Sequence, residues 1–439
     1  MVLGLLCVGA RGREAPLDVD DCVRIAVGES AAVELADARV REWDARLDEV
    51  GSVYAPKIGA LLWVAPNYTV EGTGLDRAVT TRWKSIEDWG TTLHVEARVV
   101  QPLWTFGRTA AAEEAASGRI RVERARALEA RLRVAFQVRE LYYARLFALT
   151  LLPTLDAALE VLHRAEQRAD ELYQQGTGQV TQADRQRLRA ASVELQRARI
   201  EAEGGAELAW WALAHLMGLE HPPALAEDRL PPLPPDETED LVTLVARART
   251  GRPELDQAAD GLVAARWWEQ AELRAMHPVL FAAAQVRMDW TPTREDTTNP
   301  YLADPWNGIT GGVALGLSWD FDPALATAKA GGARATAEQV AAQARVAETG
   351  IPLEVRRAWQ QVTETRRSAE LAAEGAQATR KWMTFAEVAY SAGTGEARDL
   401  LEGLAAYTKA RHSHAEAVRA HLVARAALEL AIGRQMAQE

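Results

Sequence analysis

The chain has 439 residues, of which 48% are apolar and 26% are charged, and its formal net charge is −12. This mixture is typical of folded proteins and excludes a disordered or low-complexity chain. The acidic balance argues against a protein that binds nucleic acid through a basic face. No run of about 18 uninterrupted apolar residues occurs, so we expect no membrane-spanning helix.

The N-terminal segment resembles the end of an export signal. Its first ten residues are mostly apolar, but they lack the positively charged stretch that precedes the apolar core of a complete signal. We therefore expect residues 1–16 to be a residual or truncated export segment. Cys7 is a candidate for lipidation, although Leu6 precedes it where a small residue is usual.

Neither Cys7 nor Cys22 has a CxxC partner or a nearby histidine cluster, which argues against a disulfide framework and a zinc site.

The sequence contains an internal duplication. Trp104-Thr-Phe106 recurs as Trp319-Asp-Phe321. The string Tyr173-Gln-Gln-Gly-Thr-Gly likewise recurs as Tyr390-Ser-Ala-Gly-Thr-Gly. These matches lie roughly 215 residues apart, and further matches keep the same order along the chain, which indicates a tandem repeat.

The duplication predicts the domain organisation. We expect a first structural repeat over 17–218, a second over 241–433, and a short tail over 434–439. The linker 219–240 contains six prolines. Because proline fixes φ and removes a backbone donor, the linker is predicted to be extended rather than helical.

Each repeat is predicted to contain the same elements. An amphipathic helix comes first, at 18–52 and at 238–276. A segment without helical periodicity follows, at 58–106 and at 279–321, and a very long helical stretch comes next. In the first repeat, apolar and small residues recur in steps of four and three, the spacing of a coiled-coil seam. The seam residues are Leu128, Leu132, Ala135, Arg139, Tyr142, Leu146 and Leu149.

The segments without helical periodicity alternate with period two. In 91–100, 282–290 and 313–321 every second residue is apolar, which predicts strands with one apolar face. The first strand, near 58–68, alternates less cleanly. Aromatic residues end several of these rows, as they do at the boundaries of membrane β-barrels. The candidate girdle residues are Trp63, Tyr68, Trp104, Phe106, Trp290, Trp319 and Phe321.

Four such strands are too few to close a barrel. Two interpretations therefore remain. Either the strands pair with those of other copies of the chain, or they form two hairpins on a soluble body, with their apolar faces packed together.

This combination of a duplicated long-helix coiled coil and two inserted hairpins resembles the TolC-like outer membrane efflux protein family. The resemblance covers about 17–433. Local strings support it: Gly251-Arg-Pro-Glu-Leu255, the segment 390–402, and the closing segment 426–433. The fold that it implies is mainly α with a β-barrel portion. Three chains would each give four strands to one twelve-stranded barrel, and their antiparallel helices would form a periplasmic tube.

The resemblance also implies a function. The chain would be an outer membrane channel of a Gram-negative cell, acting as the passive exit duct of a tripartite efflux or type I secretion-like system. The duct would be opened at its periplasmic tip when it docks with a periplasmic adaptor and an inner-membrane pump. Its partners would be two further copies of itself, a periplasmic adaptor protein, an inner-membrane pump and outer membrane lipid.

Site residues follow by the same resemblance. The adaptor-docking tip turns would be Gly176-Thr177-Gly178 and Gly393-Thr394-Gly395. The acidic ring at the periplasmic entrance would be formed by Asp399 and Glu402. The chain departs from the family at two positions, since Gly395 replaces a basic gating residue and Gln182 replaces an acidic one.

No motif for catalysis occurs. The sequence lacks a P-loop, a G-x-S-x-G motif and a dinucleotide fingerprint, and its eight histidines are scattered. We therefore predict that the chain is not an enzyme and has no cofactor and no metal site. The alternative to a channel is a coiled-coil structural or interaction protein of the cell envelope, without a pore.

Overall fold

The computed structural model describes residues 16–72, 78–176, 180–235, 239–296, 301, 304 and 306–433. Cys7, the rest of the predicted export segment up to residue 15, and the tail 434–439 lie outside the described residues. The helices are α1 (Val19–Glu29), α2 (Ala31–Gly51), α3 (Arg108–Gln174), α4 (Gln182–Leu216), α5 (Leu241–Gly251), α6 (Pro253–Arg274), α7 (Pro323–Ser391) and α8 (Ala397–Ile432). The strands are β1 (Lys57–Glu71), β2 (Thr80–Arg82), β3 (Trp89–Trp104), β4 (Val279–Trp290) and β5 (Gly308–Ser318).

One order of elements occurs twice along the chain. Two helices lead into a β-hairpin, which is followed by a very long helix and a shorter one. The predicted mainly α fold with two inserted hairpins is therefore confirmed for the described residues. The short strand β2 was not predicted, and it pairs only with the end of β1, over 69–71.

The leading helix of each half is divided, whereas the sequence predicts one helix over 18–52 and one over 238–276. Ser30 has an extended backbone (ψ 131°) and separates α1 from α2. Arg252 is likewise extended (ψ 117°) and precedes Pro253, the first residue of α6. A residue before proline is biased away from the helical region, and proline itself is well suited to the first helical position.

The long helices are continuous. Helix α3 has 67 residues and contains Pro153, and α7 has 69 residues and contains Pro352. By length and composition, α3 contains an 18-residue window apolar enough to cross a membrane, with mean hydropathy 1.4 and 39% of the window buried. However, α3 buries Tyr142 and Leu146 in a core shared with α1 and α4. We therefore attribute its apolar residues to helix packing.

The chain divides into two compact units, and each unit draws on both halves of the sequence. The helical unit consists of residues up to 40, 122–259 and from 343 onward. The sheet unit consists of 41–121 and 260–342 and contains all five strands. Its sheet is antiparallel, with strand order β2-β1-β3-β4-β5. Thus β3 and β4 join the hairpins of the two halves side by side.

Candidate functional site

The register of the sheet places apolar side chains of four strands on one face. Leu62 lies opposite Val95, Val95 opposite Met288, and Met288 opposite Ile309. The neighbouring pairs on this side are also apolar, except that Thr91 lies opposite Pro66 and Gln101 lies opposite Ala282. We call this side the apolar face, and its residues are Ile58, Ala60, Leu62, Val64, Pro66, Tyr68, Trp89, Thr91, Leu93, Val95, Ala97, Val99, Gln101, Leu280, Ala282, Ala284, Val286, Met288, Trp290, Ile309, Gly311, Val313, Leu315 and Leu317.

The apolar face is exposed and uncharged. Val313 is 88% exposed, Ile58 is 76% exposed and Leu62 is 67% exposed. None of the described residues on this face is ionisable at neutral pH. A strand rises about 3.3 Å per residue, so 58–68 spans about 33 Å, or about 25 Å at a tilt of about 40°. That height matches the apolar band of a membrane barrel, which is about 25 Å tall.

Aromatic residues lie at the loop end of the apolar face. The Tyr68 and Trp89 rings meet edge to face, with centroids 6.4 Å apart. Trp290 lies opposite Leu93 on the same face and is 54% exposed. Trp89 was missed by the sequence analysis, although it has the same parity along β3 as Leu93 and Val95.

A second group of aromatic residues lies at the helix end of the sheet. Trp104 and Phe106 meet edge to face with centroids 6.4 Å apart, and Trp319 and Phe321 do so at 5.2 Å. An irregularity in register between Pro102 and Trp104 places Trp104 opposite Leu280, on the apolar face. The aromatic residues therefore bound the apolar face at both ends, the arrangement of interface girdles.

Trp63 does not belong to this set, which corrects its assignment to the girdle. It lies opposite His94, and its ring stacks on the imidazole with centroids 5.0 Å apart. Residues of a strand alternate between faces, so odd-numbered Trp63 points away from the face of Leu62 and Val64. An aromatic residue in a strand therefore indicates a girdle only when its parity is also considered.

The opposite side of the sheet, which we call the polar face, carries the charged residues of the long strands. Nδ1 of His94 lies 2.6 Å from Oδ1 of Asp289, and Nε of Arg287 donates to Oδ2 of Asp289 at 2.6 Å. Nearer the loop end, Thr291 Oγ1 donates to Thr92 Oγ1 at 3.0 Å. The His94–Asp289 and Thr92–Thr291 contacts cross from the first to the second half of the chain, whereas the Arg287–Asp289 contact lies within β4. Sequence reasoning did not find the two contacts between the halves because they depend on the β3–β4 register.

The tip turn of the second half is built around glycine. Gly393 has a φ of +77°, and the N–H groups of Thr394 and Gly395 both donate to the Ala389 carbonyl at 3.0 Å. Left-handed backbone of this kind favours glycine because glycine has no Cβ. A Cβ on Gly395 would lie 3.0 Å from Cβ of Ala389, so this position also requires a small residue.

In the first half, Gly176 also has a left-handed backbone, with a φ of +67°. Thr177 and Gly178 lie outside the described residues. Both turns adjoin one hydrophobic cluster, which includes Leu172, Leu188 and Leu400. The structure thus packs the helix pairs of the two halves together near their turns.

The predicted acidic residues lie just after the second turn, near the start of α8. Asp399 and Glu402 are both exposed. They are three residues apart and so share a side of the helix. Arg398 Nε donates to Oε1 of Glu402 at 2.8 Å. Asp399 has no side-chain hydrogen bond or ion pair with any of the described residues.

In the first half, Asp184 has a structural role near the departure at Gln182. Its carboxylate accepts from the Thr181 hydroxyl at 2.6 Å and from the Thr181 N–H at 3.1 Å, and so caps α4. These hydrogen bonds hold the pKa of Asp184 below its ordinary value. Among the residues that the structure describes, no group of three or more His, Cys, Asp or Glu side chains is arranged to hold a metal ion.

No family model matches the sequence, and no curated protein is similar to it in sequence. Solved structures do resemble the chain. The outer-membrane channel OprN has 16% identity and a TM-score of 0.71, over 94% of this chain and 89% of that chain. The outer membrane channel CmeC of Campylobacter jejuni has 15% identity and a TM-score of 0.73, over 94% and 85%. The outer membrane protein VceC of Vibrio cholerae has 16% identity and a TM-score of 0.70, over 94% and 96%.

These similarities extend over nearly the whole of this chain, both the long helices and the sheet. At such low identity they establish the fold, which agrees with the resemblance found in the sequence. The chain therefore has the fold of the TolC-like outer-membrane channel proteins.

Proposed function

We propose that the chain is one subunit of a homotrimeric outer membrane channel, through which solutes pass by diffusion. The observation that carries this proposal is the apolar face, which is exposed, uncharged and bounded by aromatic residues at both ends. In water such a face would be a large exposed apolar patch. In a bilayer it would contact lipid, and the polar face would line an aqueous lumen.

The edges of the sheet support an assembly of several chains. Within the described residues, β5 pairs only with β4, and β1 over 57–68 pairs only with β3. Open sheet edges exposed to lipid do not occur, because their N–H and C=O groups would have no partners. The pairs β1–β3, β3–β4 and β4–β5 are all antiparallel, so β1 and β5 run in opposite directions. Consequently β5 of one copy can pair antiparallel with β1 of the next, and three copies give a closed ring of twelve strands.

The helical unit would extend into the periplasm, where the tip turns at Gly176 and Gly393 would meet an adaptor protein linked to an inner-membrane pump. This part of the proposal rests on the family resemblance and on the shared packing of the two turns. The exposed carboxylates of Asp399 and Glu402 would line the entrance and attract cations, as charged rings do in pores. The channel itself would supply no energy and no chemistry.

The test is membrane fractionation of the full-length protein, followed by chemical crosslinking and conductance measurements in planar bilayers. We expect the protein in the outer membrane fraction, crosslinked species up to the trimer, and steady ion conductance. Recovery as a soluble monomer without conductance would overturn the proposal. That result would favour the alternative, a coiled-coil structural protein of the cell envelope.

A separate test addresses the entrance. Asp399→Asn together with Glu402→Gln should lower the preference for cations without preventing trimer formation. Glu374→Gln is a control, since Glu374 is an exposed residue within α7, far along the helix from the turn. If the double variant and the control have the same ion preference as the wild type, the two acids do not line the entrance.

A further inference from the structure

Arg98 differs from the other charged residues of the polar face. It lies on β3 with an exposed side chain, and among the described residues it has no hydrogen bond and no ion pair. Its neighbours across the sheet are uncharged, with Gly59 on one side and Gln285 on the other. Gly312 lies opposite Gln285 on β5. We call such a set of residues opposite one another across the four long strands a row. The positive charge of Arg98 is therefore not neutralised within its row.

The space around Arg98 is kept open by glycine. A Cβ on Gly59 would lie 3.3 Å from Arg98 Nε, so the guanidinium group passes close over the backbone of β1. At Gly312 a Cβ would meet no atom within 4 Å. Small residues on both sides leave the guanidinium group accessible from the polar face.

The rows nearer the loop end are different because their charges are paired. Arg287 and Asp289 form an ion pair at 2.6 Å, and His94 contacts the same carboxylate. Glu96 lies opposite Arg287 in the register of the two strands. Toward the loop end the polar face thus contains both signs of charge in contact with each other.

The row nearer the helix end adds a second positive charge. Lys57 is the first residue of β1, is exposed, and has no ion pair among the residues that the structure describes. Its partner in the register is Val100. Two successive rows toward the helix end, those of Arg98 and Lys57, are therefore cationic, although the whole chain has a net charge of −12.

We propose that Arg98, supported by Lys57, forms a cationic ring on the inner wall of the barrel and makes this part of the pore favour anionic over cationic solutes. The inference rests on the proposed trimeric channel, in which the polar face lines the lumen. Rings of charged side chains set ion preference in pores, and walls of low dielectric strengthen their field. Because the ring is repeated in each subunit, a single substitution removes one charge from every chain.

The test is the reversal potential of the full-length channel in planar bilayers under a potassium chloride gradient. Arg98→Gln should shift the chloride-to-potassium permeability ratio toward potassium by about twofold or more, and Arg98→Glu should shift it further. Arg98→Lys keeps the charge and serves as the matched control, so its ratio should stay close to that of the wild type. Lys57→Gln is a second variant, for which we expect a smaller shift in the same direction.

The outcomes separate this inference from the proposed function. If the variants conduct and none of Arg98→Gln, Arg98→Glu and Lys57→Gln changes the ratio, the cationic ring is wrong and the channel stands. If the Arg98 variants do not assemble, Lys57→Gln alone decides, and an unchanged ratio again overturns the ring. If the wild type inserts but does not conduct, the proposed function itself fails.

Discussion

Nδ1 of His94 lies 2.6 Å from Oδ1 of Asp289, and this contact joins β3 of the first hairpin to β4 of the second. The other carboxylate oxygen of Asp289 accepts from Arg287, and Trp63 covers the imidazole. A slip of one residue between β3 and β4 would move the charged groups of β4 to the apolar face. The His94–Asp289 pair therefore adds to the alternation of the two faces in specifying the register at the junction of the two repeats.

Asp289→Ala should destabilise the sheet. It removes the acceptor of the buried His94 and of the partly exposed Arg287, and loss of a partner to a buried polar group costs about 1–3 kcal/mol. The measurement is urea unfolding of the protein assembled in lipid vesicles. Glu96→Gln is the comparison variant and should cost less, because Glu96 lies 3.6 Å from His94 Nε2, within ion-pair distance but beyond hydrogen-bond distance. Equal midpoints for Asp289→Ala and the wild type would show that the pair does not hold the register.

Neighbouring positions on β5 test which face contacts lipid. Val313 lies on the apolar face and Ala314 on the polar face, and both are exposed. A lysine near the middle of the bilayer costs about 2–4 kcal/mol, whereas a lysine facing the lumen is hydrated. We therefore expect Val313→Lys to reduce the amount of assembled protein in the outer membrane and Ala314→Lys to leave it nearly unchanged. The reverse order would mean that the faces are assigned the wrong way round.

Two glycine substitutions should have opposite effects on the helical unit. Gly393→Ala places a Cβ on left-handed backbone, which costs about 1–2 kcal/mol. Gly375→Ala lies inside α7, where a Cβ meets no atom within 4 Å, and should stabilise by about 0.5–1 kcal/mol. Thermal unfolding gives the sign of each effect, and hydrogen exchange of the amides at 389–397 localises the first. A stabilising Gly393→Ala would contradict the left-handed turn.

Cys22 should be unreactive in the folded protein. Its side chain is fully buried, and burial, with the carboxylates of Asp18 and Asp21 adding to it, raises the pKa of the thiol to about 12. Only the thiolate reacts with alkylating reagents, so we expect little modification of Cys22 at pH 8 and complete modification after unfolding in urea. Peptide mass spectrometry measures both states. Rapid alkylation of the folded protein would show that the core of α1, α3 and α4 opens readily.

The same pKa shift has a consequence for stability. In the unfolded chain the thiol ionises near its ordinary pKa of about 8.5, whereas in the folded protein it stays protonated up to about pH 12. The folded state therefore binds more protons over that range, and its stability falls as the pH rises through it. Cys22→Ala should remove this part of the decline between pH 9 and pH 11, which urea unfolding at several pH values would detect. An identical decline in both proteins would show that Cys22 does not contribute.

Much of the architecture could be predicted from the sequence. Long helices and strands each have one apolar face, and that face appears in the sequence as apolar residues at a regular spacing. Seam residues such as Leu132 and Leu146 recur with coiled-coil spacing, and both are buried in α3. The strands at 91–100 and 313–321 alternate strictly, so their apolar residues had to share a face. Repetition of these patterns at one spacing also indicated that the two halves contain the same elements.

The tertiary structure decided everything that depends on which residues of different strands lie opposite each other. The parity of Trp63 and Tyr68 along β1 already separates them in the sequence, but only the β1–β3 register shows that Trp63 stacks on His94 and Tyr68 lies beside Trp89. In the same way, charges on β3 and β4 give no sign of which are paired across the two strands. Only the register shows that Asp289 lies opposite His94, while Arg98 lies opposite uncharged residues and has no partner among the described residues. Periodicity is a local property of each segment, whereas pairing between segments distant in sequence follows from the packing of the whole sheet.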